Sequence, residues 1–443
     1  MIAKINNDLI NKTMKTSVKA LLTLLVMAAS LPGCMDSTIE RVTYTANVPV
    51  YMSFTEFRSS FEVTEPVEIT QPGKIYFKDN YLFVNELQKG VHVINNADPA
   101  NPKKVAFYSI QGNVDIAIKG NILFADSYID LVAIDISDIN KPVEVGRLPN
   151  IFPEIVPEGD VTYPYAMVDK SKGVIVGWEV KPVTEEVERN SGWGRLIYMK
   201  ELMFSAQIDG GGGGNWSSGA GTGGSMARFM LSDDNLYLIA HPWMLKTVDI
   251  SKPDKLSVVD SVDVPRTMET LFKLGSKLFV GTTTGMLIYD ITVASKPLQI
   301  SSYDHITSCD PVVADEHYAY VTLRSGTRCA NGRNLLDVID ISSITNPYLV
   351  KSYPLYNPHG LGIDGNLLFI CDGKAGLKIY DRSDPMAIIT NQLAHYPDID
   401  TFDVIPINGI LMLIGKDGIF QYDYSNPLNI KQLSHIQIIK SGK

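Results

Sequence analysis

The chain is poor in the residues that announce chemistry. It has no Cys-x-x-Cys, no His-Glu-x-x-His and no Gly-x-Ser-x-Gly, and its seven histidines stand singly, so neither a zinc centre nor a nucleophile elbow can be read from spacing. The glycine run "DGGGGGNWSSGAGTGGSMARF" (209–229) ends in no Gly-Lys-Ser/Thr and leads into no helix, which removes a P-loop. Basic runs are absent and the formal net charge is −10. Phosphate backbones need a clustered positive field, so nucleic acid is excluded as a partner. Charged residues make up 20% and hydrophobic ones 45%, a globular balance.

The amino terminus reads as a targeting segment. Lys15 and Lys19 precede "ALLTLLVMAASLPGC", an apolar run too short for a membrane span and ending in small residues. Met14 opens a good signal of its own. The ending "LPGC" resembles the lipobox of bacterial lipoproteins. That resemblance implies a signal peptide over 1–33 and acylation of Cys34, with residues 34–69 as a tether and approach segment. An ordinary secretory signal is the alternative. A lipid-anchored protein of the cell envelope, at the outer membrane on either side of it, is the expectation.

One stretch, "LVAIDISDINKPVEVG" (131–146), recurs. Its aspartate, Asp135, has counterparts at Asp249, Asp290, Asp340, Asp381 and Asp423, and Asn95 takes the place in an earlier copy. Most steps are 40 to 42 residues, one is 50, and Asp209 fills the long gap before Asp249. That makes eight copies. Within residues 113–148 the pattern shows four short strands, "VDIAIKG", "ILFADSY", "LVAIDIS" and "PVEVGRL", split by turn residues. Four strands per ~40 residues is the blade of a β-propeller. The all-β fold expected over 70–443 is a single ring of eight blades, with seven as runner-up. Hairpin residues recur at Asp79-Asn80, Gly120-Asn121, Asp234-Asn235, Gly275-Ser276, Gly365-Asn366 and Asn408-Gly409. Each repeated Asp precedes a turn, where its carboxylate would accept backbone N–H bonds; the role is structural. The copies resemble the LVIVD repeat family, envelope-associated propeller-like proteins of largely unassigned function.

Function in a repeat protein concentrates where the pattern breaks. Residues 149–164, 182–200 and 324–334 are insertions expected on the face shared by second-to-third-strand loops and inter-blade links; 182–200 would interrupt the third copy. Trp193 and Trp216 are candidate contacts there. Cys309 and Cys329 fall on the same face and are expected to pair, while Cys371 in "LLFICDG" reads as a buried thiol. Counting back six residues from each first-strand turn gives Arg228, Glu269, Asp310, His359 and Asp403, with Asp115 beside the corresponding Val114. These should ring one mouth of the channel, either as ion pairs between blades or as a ligand site. No cofactor or metal is expected. Two functions remain: a module binding a protein or glycan on its loop face, or an envelope hydrolase or lyase using Glu269 or Asp310 as acid or base with His359 as partner. Carboxylates about 5–9 Å apart in the mouth would favour a glycosidase; aromatics on the rim would favour binding.

Overall fold

A computed structural model describes residues 39–153, 156–157, 159–188, 227–304, 311–325 and 333–439. Seven four-stranded antiparallel sheets follow one another as blades, spanning residues 72–109, 116–148, 229–263, 268–304, 312–354, 361–396 and 401–437. In blade 4 the strands run Met268–Leu274, Lys277–Thr282, Gly285–Asp290 and Leu298–Asp304, innermost to outermost. The two middle strands are almost wholly buried and the fourth is mostly exposed. Blades cover each other's faces, so middle strands read as unbroken apolar runs. One blade could bury neither face alone.

Each blade is locked at its third-to-fourth-strand turn by the repeated side chain. Oδ1 of Asp135, Asp249, Asp290, Asp340, Asp381 and Asp423 accepts the backbone N–H two residues on, at 2.7–2.9 Å, and Asn95 does the same at 3.0 Å. The next residue donates its N–H to the first hairpin of its own blade, as Ile136 does to Asn121 and Tyr424 to Gly409. These are seven structural turns, and they answer the question the repeated Asp poses. Hairpin residues with positive φ sit where expected at Asp79, Gly120, Gly275, Gly365, Asn408 and Gly409; in blade 3 it is Asp233, one residue before the expected pair.

The ring therefore has seven blades, the smaller of the two expected counts. Blade 2 abuts blade 3 directly, which leaves no place for a blade between them. A Cβ on Gly146 would lie 1.8 Å from the Pro253 carbonyl oxygen, and Phe152 stacks on Phe229 with centroids 5.9 Å apart. The supposed extra copy contains Val174–Glu188, a strand of 15 residues with no turn in it. That is too long for a blade, and it pairs instead with Ile39–Met52. Residues 182–188 thus belong to this two-stranded sheet and interrupt no blade. Asp209 lies outside the described residues. Gly146→Ala should lower stability by about 2 kcal/mol, since the methyl must push backbone aside; a urea midpoint equal to the parent's would contradict the tight seam.

The described residues fall into two compact units, those from 45–181 and 199–443 in one and those from 1–44 and 182–198 in the other. In the smaller unit Arg41 pairs with Glu186 at 2.8 Å, Thr43 with Thr184 at 2.8 Å, and Tyr44 donates to Glu185 at 2.6 Å. In the larger unit a short helix, Phe54–Arg58, is capped by Ser53, and Glu62–Thr64 pairs with the outer strand of blade 1 as a fifth strand. That pairing covers an edge that would otherwise be open.

Ring closure uses no exchanged strand. Blades 1 and 7 meet through an apolar cluster holding Ile75, Leu82, Ile405 and Met412. Asn96 and Gln421, both buried, exchange two amide hydrogen bonds of 2.9 and 2.7 Å. Ile439 N–H donates to the Ile69 carbonyl at 2.8 Å.

Candidate functional site: the channel mouth

Strand direction fixes one face. Each innermost strand starts where an inter-blade link ends, on the same side as the loops between second and third strands. The described candidate mouth residues lie at or within three residues of the start of innermost strands, so they share that side.

On blades 1 to 3 the structure brings Asp115 and Arg228 together and adds two residues. The Lys74 ammonium contacts Asp115, and the Arg228 backbone N–H donates to Asp115 Oδ2 at 2.7 Å. Asp126 Oδ1 accepts from Asn113 Nδ2 and from the backbone N–H groups of Val114 and Asp115, at 2.7–2.9 Å. Lys74, Asp115 and Asp126 are all buried. Desolvation pushes the Asp126 carboxyl up to about 7 and pulls the Lys74 ammonium down, with Arg228 also lowering the latter.

On blades 4 to 7 an arginine joins the expected residues. Arg324 donates to His359 Nδ1 at 3.2 Å and carries an electrostatic interaction with Glu269. Arginine only donates, so Nδ1 is the acceptor and the imidazole proton sits on Nε2. Asn357 lies 3.1 Å from Nε2, and the amide orientation that satisfies this pair turns its oxygen toward the ring. His359 is 2% exposed; desolvation, then Arg324, press its pKa down to about 3. Asp403 of blade 7 sits against blade 6. A Cβ on Gly360 would lie 2.0 Å from its Oδ1, so glycine is required for this approach. Asp310, Cys34, Cys309, Cys329, Trp193 and Trp216 lie outside the described residues. Cys371 is a free, buried thiol whose pKa desolvation raises, as expected of a packing residue.

Three members escaped sequence reasoning. Lys74 stands six residues before Asn80, so the same count applied to blade 1 finds it. Arg324 directly follows the second strand of blade 5, Tyr318–Leu323, where it reads as loop. Asp126 closes "ILFAD", and nothing in that string marks it as titratable near neutrality.

Chemically the buried part of the mouth is closed on itself. Asp126 has the pKa of a general acid, but it is 3% exposed and three N–H donors occupy Oδ1. His359 cannot act as a base through Nδ1, whose lone pair Arg324 holds. Among the described residues no group of three or more His, Cys, Asp or Glu is placed to hold a metal ion. Aromatic side chains, by contrast, are open on this face. Trp243, in the second-to-third-strand loop of blade 3, is 41% exposed with the His241 ring 4.7 Å away, and Tyr356, in the link between blades 5 and 6, is 61% exposed.

Seven four-stranded blades closed into a ring define a β-propeller. The LVIVD repeat model matches residues 112–149 and 308–354, the sequence of blade 2 and that around blade 5. This chain carries LVIVD repeats on a seven-bladed β-propeller. Among solved structures it is similar to the computationally designed Ika8 protein, with TM-score 0.50, 9% identity, and 85% of this chain and 91% of that chain covered. It is also similar to BamB from Moraxella catarrhalis, with TM-score 0.44, 10% identity, and 88% and 92% covered. A protein from Lactobacillus plantarum gives TM-score 0.48, 10% identity, and 83% and 96% covered. No curated protein matches the sequence.

Proposed function

We propose that this chain is a non-enzymatic binding module of the bacterial cell envelope, anchored by acylated Cys34 and docking a protein or glycan ligand on its loop face. One contrast carries the reading. Among the described residues, Lys74, Asp115, Asp126, Arg324, His359 and Asp403 of the mouth are buried and Arg228 and Glu269 half-buried, while Trp243 and Tyr356 are open on the same face. Exposed aromatics provide large contact area at small entropic cost, as binding surfaces require. The hydrolase or lyase alternative is weakened at His359, its partner residue, which is buried with Nδ1 held by Arg324, while Glu269, one of its two candidate acids or bases, is half-buried.

The test is a screen of immobilised glycans and displayed peptides with the parent and with Trp243→Ala/Tyr356→Ala. At least a tenfold weaker binding of the parent's ligands, with an unchanged urea midpoint, is expected, since each buried anchor contributes about 1–2 kcal/mol or more. Ligands bound equally by both proteins would move the site elsewhere. Mass spectrometry of the mature amino terminus tests the anchor: an unmodified Cys34 removes it.

A further inference from the structure

Residues 159–167, between blades 2 and 3, form a loop held from inside by one side chain. Asn47 is fully buried. Its Nδ2 donates to the carbonyls of Asp160 and Tyr163, both at 2.8 Å, and its Oδ1 accepts the Asp160 N–H at 2.9 Å. Its backbone N–H donates to Pro164 and its carbonyl accepts from Ala166, at 2.8 and 2.9 Å. Both amide N–H groups, the amide oxygen and both backbone groups therefore serve this loop. Tyr165 packs edge-on against Trp178 at 4.6 Å, and the Trp178 indole donates to the Pro157 carbonyl at 2.7 Å. A loop so fixed presents Val161 at 91% exposure, Met167 at 66% and Tyr163 at 36%. The exposure of an aliphatic side chain is here set by the hydrogen bonds beneath it.

We infer that this loop is a second membrane contact, which seats Val161, Tyr163 and Met167 at the headgroup boundary of an anionic bilayer and so orients the tethered body. The inference rests on the lipid anchor proposed above. Three observations favour a bilayer as the occupant. Tyrosine beside aliphatic residues, followed by exposed Lys170 and Lys172, is the chemistry of an interfacial segment: the ring sits at headgroup depth and the ammonium groups reach phosphate. Among the described residues the carboxylates of this segment, Asp160 and Asp169, are already engaged. Asp160 Oδ1 accepts from Thr162 N–H at 2.8 Å, and Asp169 Oδ1 from Ser171 at 2.6 and 3.1 Å, with Lys172 3.8 Å from Asp169. Finally, Asn47 follows Cys34 by only 13 residues, a contour length of at most roughly 45 Å. The loop is thus tethered within reach of the bilayer that Cys34 would enter.

The test uses the full mature chain with Cys34→Ser, which removes acylation, and vesicles of phosphatidylethanolamine and phosphatidylglycerol at about 3:1 and millimolar lipid. Sedimentation with the vesicles is expected. Val161→Asp/Met167→Asp should reduce the partition coefficient at least fivefold with no change in urea midpoint, both residues being mostly exposed. Lys170→Glu/Lys172→Glu should weaken binding to these vesicles but not to neutral phosphatidylcholine. A Cys34→Ser chain that stays in the supernatant, or a Val161→Asp/Met167→Asp chain that binds as its parent does, overturns the inference; a loop built for a protein partner would give the first result. The acyl state of native Cys34, read separately by mass, keeps a failed anchor distinguishable from a failed loop.

Discussion

Asp130→Ala should cost about 3 kcal/mol and free the helix Phe54–Arg58 from the ring. Asp130 is fully buried at the start of the third strand of blade 2. Its carboxylate accepts from Arg58 Nε at 2.8 Å, from Arg147 at 3.2 Å and from the Asn150 backbone N–H at 2.9 Å. Truncation leaves two guanidinium groups without this counter-charge and one N–H without its acceptor. Removing one partner of a buried ion pair costs about 3–5 kcal/mol. The lower end applies because the Arg58 side chain is 35% exposed and keeps water, while Arg147 keeps Glu144 at 2.7 Å. A helix of five residues has no stability of its own. Phe57, seated edge-on against Tyr128 at 5.6 Å and under the Arg147 guanidinium at 5.3 Å, holds it with Asp130. Urea denaturation should show the lowered midpoint, and trypsin should cleave after Arg58 before the ring unfolds. A parent-like midpoint together with parent-like cleavage would show the pair to be dispensable.

Between pH 4.5 and 6.5 the parent should show nearly level stability that conceals two opposed slopes. Asp126 has its pKa raised by desolvation to about 7, so the folded state holds a proton that the unfolded chain has released. Stability from this group falls as pH rises from the ordinary carboxylate range toward 7. His359 has its pKa lowered to about 3, so the unfolded chain binds a proton that the folded state refuses. Its contribution is lost as pH falls below the ordinary histidine value of about 6.5. Each slope is on the order of 1 kcal/mol per pH unit. Glu86, which burial pushes up but hydrogen bonds from His92 and Thr70 hold down at about 2, acts below this window. Asp126→Asn keeps the Oδ1 acceptor for Asn113, Val114 and Asp115 and removes the titration. Its stability should rise by about 2 kcal/mol from pH 4.5 to 6.5, and that of His359→Gln should fall by a similar amount over the same range. Urea midpoints across pH decide the matter. Variants with the parent's flat profile would mean that neither group is perturbed as its burial implies.

The ring itself was legible because it repeats. Seven turns carry Asp or Asn at one spacing, and one local bond explains each of them. The eighth copy arose because spacing alone was satisfied by Asp209; the described residues of that copy, before it, form an unbroken 15-residue strand, Val174–Glu188, and not several short ones. At the mouth, counting from turns found Asp115, Arg228, Glu269, His359 and Asp403. It could not show that Asp115, His359 and Asp403 are sealed in while Arg228 and Glu269 are half-buried, because burial is set by the neighbouring blade, as when Asp403 packs against Gly360. Arg324 and Asp126 were illegible for the same reason: their partners come from other strands, and only the closed sheet order brings them together. Trp243 was passed over because "HPWM" reads as a bare turn, and the face it occupies emerges only from strand direction.

The closure between blades 1 and 7 has a consequence for the chain's order. Each of these blades is complete, and the seam is held by the Asn96–Gln421 amide pair, an apolar cluster and the Ile439–Ile69 bond. Nothing in the ring depends on where the polypeptide starts. Residues 69 and 439 already touch through their backbones, so a short glycine link could join them while a new opening is made at the exposed hairpin Gly275–Ser276, where a Cβ on Gly275 would meet nothing within 4 Å. Such a circular permutant would carry its terminus, and any lipid attached to it, on the opposite side of the ring from the mouth.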